Sequence, residues 1–241
     1  MTTALLFLAS ILAGAIASLA GFGIGSILTP LLALSVGTKE AVIAVSIPHL
    51  VATGLRFWTL RQKVDIQVLK HFGIASAAGG LMGALLGARF SSPILAYILG
   101  GLLVFAGLTG LTGIAGKMQF GRKAAWLGGG ISGLLGGLVG NQGGIRSAAL
   151  LRFNLEARAF VATATAIALV VDGARMPVYF FTSPATVHRL GVWIVVMVTG
   201  AAFGTLAGGR VLARMPEKYF RPMVSLLILA LGIVMLSGSI R

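Results

Sequence analysis

No cysteine occurs among the 241 residues, and only five of them are acidic. Without cysteine there are no disulfides, no thiolate metal ligands and no thiol nucleophile. The three histidines, His49, His71 and His188, are scattered, with no carboxylate at ligand spacing. No metal or other cofactor is therefore expected. Charged residues make up 10% of the chain, against about 25% in soluble domains. No GxxxxGK[ST] stretch is present, so an ATP motor within the chain is not expected. A nucleophile with a base would have too few groups to draw on, and an enzyme is not expected either.

What the chain has in abundance is apolar length. It is 57% hydrophobic, with mean hydropathy +1.00. Long apolar runs cover Ala4–Val36, Ala41–Leu60, Phe72–Ala88, Ile94–Ala115, Ala124–Leu151, Ala159–Phe181, Leu190–Leu212 and Val224–Ile240. Runs of about 18 residues or more are candidate bilayer spans. Eight of them leave almost nothing for a soluble domain. The expected fold class is an all-α polytopic membrane protein. The net charge of +14 sits in short loops between the runs, where topology signals belong. It offers no basic face to nucleic acid, and anionic lipid headgroups are its modest alternative use. The first run lacks a basic leader and continues to Val36, so it reads as a membrane element rather than a cleaved signal.

The chain repeats itself. GFGIGSILTPLL (Gly21–Leu32) precedes GNQGGIRSAALL (Gly140–Leu151) by 119 residues. At the same offset Gly54-Leu55-Arg56 matches Gly173-Ala174-Arg175, and Ser46 matches Thr165. GALLGAR (Gly83–Arg89) matches GTLAGGR (Gly204–Arg210) at an offset of 121. The expected organisation is repeat 1 over 1–116, a cytoplasmic linker over 117–123 (KMQFGRK spans the boundary) and repeat 2 over 124–241. Such repeats point to a transporter with its site at the repeat interface, often on discontinuous helices.

Charge favours one arrangement of the repeats. Let the first run of each half be a broken, re-entrant element followed by three transmembrane helices. The two repeats are then inverted. The linker side receives Arg61, Lys63, Lys70, Lys117, Arg122, Lys123, Arg152, Arg158, Arg210, Arg214, Lys218 and Arg221, twelve in all. The far side receives four: Lys39, Arg89, Arg189 and Arg241. Eight full crossings would split the same residues eight and eight. The positive-inside rule prefers the former. Length agrees, since Ala124–Leu151 would make one helix about 42 Å long, against a hydrocarbon core of about 30 Å. Glycines at the break supply unusual backbone angles, and Pro30 suits the first turn of a second half-helix. Kinked full spans remain the alternative.

Of the nineteen Lys and Arg, Arg56, Arg146 and Arg175 stay inside the membrane, where charge needs a reason. In Asn141-Gln142-Gly143-Gly144-Ile145-Arg146-Ser147, a half-helix beginning after the glycines aims free N–H groups and its positive end at the break. Half-helix ends of this kind bind anions. The amides of Asn141 and Gln142 add donors, and the Arg146 fork matches a carboxylate or sulfo-oxyanion. The bland alternative has Arg146 snorkelling to the interface. Asp172 precedes Arg175 by three residues and can pair with it on one helix face. Arg56 has Thr53 at that place, and it either joins the site or reaches the end of its span beside Arg61 and Lys63. His49, after Pro48, either relays protons or bonds a neighbouring carbonyl, and Pro48 is expected to kink its helix. Gly79-Gly80-Leu81-Met82-Gly83-Ala84-Leu85-Leu86-Gly87 reads as close helix packing, and Gly128-Gly129-Gly130 as packing or flexibility.

GFGIGSILTPLL together with GGGISGLLGGLVGNQGGIRSAALL resembles the TauE/SafE family of sulfite and organosulfonate exporters, also called the 4-toluene sulfonate uptake permease family. The likeness runs through both halves. It implies a bacterial or archaeal inner-membrane carrier of small sulfur-containing or organic anions. The family's glycine-rich breaks map onto Gly21–Gly25 and Gly140–Gly144. Some relatives carry four glycines or a Ser/Thr where this chain has Asn141-Gln142-Gly143-Gly144, which bears on substrate identity.

The reading is a secondary carrier of a small anion working by alternating access. Its expected binding residues are Asn141, Gln142, Gly143, Gly144, Arg146, Ser147, Gly23, Gly25, Ser26, Thr29 and Arg175. Asp172 and His49 are candidates for proton coupling or an ion pair, with Arg56, Ser46 and Thr165 further off. An anion channel and a subunit of a larger transport complex are the rivals. Expected partners are the anion, the bilayer and a coupling proton or ion; oligomeric state is open, a homodimer included.

Overall fold

The computed structural model describes residues 2–114, 122–208, 210 and 216–237. Among the described residues every regular element is helical. The first half contains α1 (Thr3–Ala20), α2 (Ile24–Val36), α3 (Thr38–Leu60), α4 (Ile66–Gly87) and α5 (Ser92–Thr112). The second contains α6 (Arg122–Val139), α7 (Gly143–Leu150), α8 (Ala157–Thr182), the short α9 (Pro184–Arg189), α10 (Gly191–Phe203) and α11 (Glu217–Leu236). A widened turn, Gly204–Gly208, prolongs α10. Seven of these helices are long and apolar enough to cross a membrane: α1, α3, α4, α5, α8, α10 with its extension, and α11. The chain is a multi-pass membrane protein. Most of the expected linker 117–123 falls outside the described residues, as do Arg214 and Arg241 of the charge count.

The first apolar run of each half is interrupted, as the glycine clusters foretell. Gly21 (φ 76°) closes α1 by donating its N–H to Ala17 O, and Gly23 (φ 141°) precedes α2. Gly140 (φ 71°) closes α6. Left-handed angles of this kind suit glycine alone at little strain. Pro30 departs from expectation. Because the positive-φ glycines end the first helix so early, α2 starts at Ile24 and Pro30 lies inside it. Lacking an N–H, Pro30 leaves the carbonyl of Ser26 without its helical donor.

Side-by-side contacts set the directions of the helices. Gly79, Gly83 and Gly87 of α4 face Gly130, Leu134 and Leu138 of α6 in turn, so the two run the same way. In lipid, where apolar burial gives no drive, such glycine faces let backbones approach. Gly133 and Gly137 answer from α6 against Ser76 and Gly80. The glycine run of α4 is thus packing, as its spacing indicates. Then α7 folds back along α6: Ser132 Oγ donates to Gln142 O at 3.1 Å, and Gly128 faces Ala149. Likewise Gly200, Gly204 and Gly208 meet Phe7, Ile11 and Ala15 in turn, so α1 runs alongside α10 in the same direction.

The bundle therefore has two ends. At one, Asp65 N donates to Thr163 Oγ1 at 2.9 Å and His71 meets Trp126 edge-on at 5.2 Å. This end carries Arg61, Lys63, Lys70 and Arg158. At the other, Lys39 Nζ donates to Ala88 O at 2.6 Å, and Ser35, Val36 and Gly37 lie beside Arg189. Helix α2 finishes at the Lys39 end, where α10 begins; α7 leads back to the Arg61 end, where α8 begins.

Candidate functional site

The two breaks meet. A Cβ on Gly25 would run into the carbonyl of Gly140, and a Cβ on Gly143 into the ring of Phe22. Ser26 Oγ donates to Asn141 Oδ1 at 3.1 Å, and Arg146 Nη2 donates to Gly21 O at 3.3 Å. So α2 and α7 pass one another in opposite directions, start against start. Neither start has a side-chain cap. Arg146 is 1% exposed, and among the described residues its Nε and Nη1 have no hydrogen-bond partner. It does not snorkel to an interface; it ends inside the bundle at the α1–α2 break. Both polar atoms of the buried Gln142 amide are also without partners among the described residues, as is the Thr29 hydroxyl. A cleft of about 10 Å³, lined by Leu102, Phe105, Ala106, Asn141, Gln142, Gly144 and Ile145, has room for about one water.

Helices α3 and α8 supply the other charges. Asp172 is fully buried, and Arg175 holds its Oδ1 through Nε at 2.9 Å and Nη2 at 2.7 Å. His49 Nδ1 lies 2.6 Å from Asp172 Oδ2. The histidine thus engages a carboxylate on another helix rather than a nearby carbonyl. Arg175 Nη1 donates to Gly136 O in the last turn of α6, and Tyr179 OH donates to Gly137 O. Every nitrogen of the Arg175 guanidinium is therefore engaged within the protein.

Arg56 is differently placed. It is 4% exposed, so it does not reach out beside Arg61 and Lys63. Its Nε donates to Thr165 Oγ1 at 2.8 Å and its Nη1 to Ala17 O at 2.7 Å. Ala17 and Gly21 belong to one turn of α1, joined by a 3.0 Å bond. Arg56 and Arg146 therefore grip the same helix end about one turn apart. The negative end of α1 offsets only part of their charge. Among the described residues the buried charged groups are three arginines and one aspartate, with His49 beside them. That balance is positive, and the excess lies at the α1–α2 break.

The remaining expected residues scatter in role. Ser46 turns back to its own helix, donating to Ile43 O at 2.6 Å. Thr165 serves Arg56 and also donates to Val161 O at 2.6 Å. Gly23 and Gly25 shape the break, Gly144 packs near Ala106, and Ser147 is half-buried.

The glycine breaks and the buried arginines draw on both halves of the chain, and so does its match to known sequences. Residues 6–235 match the family described as sulfite exporter TauE/SafE. The chain belongs to that family. Neither the curated proteins nor the solved structures searched contain a match. As a TauE/SafE member the chain is a membrane transporter of the sulfite and organosulfonate type, not an enzyme.

Within this TauE/SafE chain, two site residues do not stand out in the sequence. Tyr179 follows Arg175 by one helical turn, a spacing that places both on one face and could have revealed it. Ser132, which braces Gln142 O, carries no such signal.

Proposed function

We propose that the chain is a secondary carrier of a small sulfur-containing oxyanion or organosulfonate such as sulfite, sulfoacetate or a taurine-like compound. It works by alternating access, with the anion held at the glycine-rich breaks. The observation that carries this reading is Arg146, a buried guanidinium with two unpartnered nitrogens at a helix break. An unpaired charge inside a bilayer is costly, and an anion there would remove the penalty. Backbone N–H groups at the starts of α2 and α7 would add to its hold, with Asn141, Gln142, Ser26 and Thr29 close by.

The helix registers support two inverted repeats. α1–α2 would enter from the Lys39 end and α6–α7 from the Arg61 end, each followed by three spans. The basic excess at the Arg61 end makes that end cytoplasmic in an inner membrane of a bacterium or archaeon. The cramped cleft at Gln142 fits a closed, substrate-free state, which opening toward either side would relieve. Proton coupling would act through Asp172 and His49.

Counterflow in proteoliposomes tests the reading. Vesicles holding the purified chain and loaded with unlabelled sulfite should accumulate labelled sulfite transiently, and Arg146→Ala vesicles should not. Flux through wild type without counterflow would indicate a channel; no flux at all would indicate that a partner subunit is required.

A further inference from the structure

Arg56 and Arg175 stand 119 positions apart, and so do the carbonyls they grip, Ala17 O and Gly136 O. One contact is thus made twice, once in each half. What surrounds it differs. Beside Arg175 lies the carboxylate of Asp172, itself held by His49. At the same offset Thr53 stands for Asp172 and Ala168 for His49. A hydroxyl and a methyl replace a carboxylate and an imidazole, so among the described residues this half has no buried carboxylate of its own. Thr53 is fully buried, as is Ala168, and the Thr53 hydroxyl has no hydrogen-bond partner among the described residues. It lies three residues before Arg56, on the same helix face.

The half that lacks the carboxylate also gains a cation. Arg146 has Ile27 as its counterpart, yet its head group crosses to Gly21 O, in the turn of α1 that Arg56 holds. One half is therefore neutralised by its own aspartate. The other carries two guanidinium groups, an unused hydroxyl and smaller side chains.

We propose that the transported anion binds among Thr53, Arg56 and Arg146, in the place that the Asp172 side chain occupies beside Arg175 in the other half. Asp172 is then a built-in copy of the substrate, and each chain binds one anion. This rests on the anion-carrier reading above and adds which half holds the charge. Two guanidinium groups suit a dianion, so sulfite and sulfoacetate should outcompete taurine, whose ammonium group they repel.

The test is calorimetric binding of sulfite to the purified full chain. Thr53→Asp should place a carboxylate beside Arg56 and weaken sulfite binding by about a hundredfold or more. Its melting temperature should not fall, because the new carboxylate gains a partner. Thr53→Asn, of the same size without charge, should lose about tenfold or less. A folded Thr53→Asp that binds sulfite like wild type overturns the placement; if Arg146→Ala still abolishes binding, the carrier reading stands without it. Wild type that binds no anion overturns both. Should Thr53→Asp fail to fold, wild-type crystals soaked in selenate decide the matter. An anomalous peak between the Thr53 hydroxyl and the two guanidinium groups supports the placement, and a peak elsewhere overturns it.

Discussion

A guanidinium in a bilayer interior stays charged, so its neighbours must supply oxygen or negative charge. Arg175 has both, from Asp172, Gly136 O and the face of Tyr179, whose ring centre is 5.8 Å away. Removing the carboxylate leaves that cation buried without a counter-charge, which costs about 3–5 kcal/mol in comparable pairs. Asp172→Asn should therefore lower the melting temperature of purified protein clearly, and adding His49→Ala should add little, because His49 is held mainly through Asp172. An unchanged melting temperature in Asp172→Asn would mean that the pair is not the anchor of α8. Arg146 should behave oppositely. Among the described residues its guanidinium bonds only Gly21 O, so truncation removes an unpaired charge and should leave stability close to wild type.

At the level of elements, the glycine faces of α4 and α6 hold the second hairpin in place. Gly83 meets the backbone of Leu134 with no room for a side chain. Gly83→Leu should force the helices apart and destabilise by about 1–3 kcal/mol, read as a lower melting temperature and lost transport; a normal melting temperature would contradict the packing. This scale was also the most legible in the sequence. The breaks at Gly21–Gly23 and Gly140 were readable because each lies in an apolar run too long for one span, whereas the four-residue spacing of the α4 glycines marks packing. Pro30 does not mark the start of α2, because proline tolerates a helix start without requiring one and the glycines set it first. The His49–Asp172 bond was not legible: it joins α3 to α8 across 123 residues, and only tertiary packing decides it. Nor was the burial of Arg56 readable, since an arginine shortly before Arg61 looks the same whether it points in or out.

For the whole molecule, the absence of cysteine makes the topology of the inverted halves easy to test. Any introduced cysteine is the sole label site. Gln62→Cys lies in the α3–α4 turn and Asn154→Cys between α7 and α8, both exposed at the Arg61 end. Ala185→Cys lies in α9 at the Lys39 end, also exposed. A membrane-impermeant maleimide added to whole cells should label Ala185→Cys alone, and should reach the other two only in inverted vesicles. Opposite sidedness of Gln62→Cys and Asn154→Cys would mean that the α6–α7 run crosses once, and the paired inverted halves would fail.

The central claim is that a buried positive site at the α1–α2 break holds a small sulfur oxyanion. The most direct measurement is the thermal shift of purified wild type and Arg146→Ala with sulfite, sulfate, thiosulfate, taurine, sulfoacetate and acetate. The account predicts that sulfite or sulfoacetate raises the wild-type melting temperature, that the same anion leaves Arg146→Ala unmoved, and that the two proteins melt alike without ligand. An equal shift in both proteins, or no shift with any anion, would contradict it.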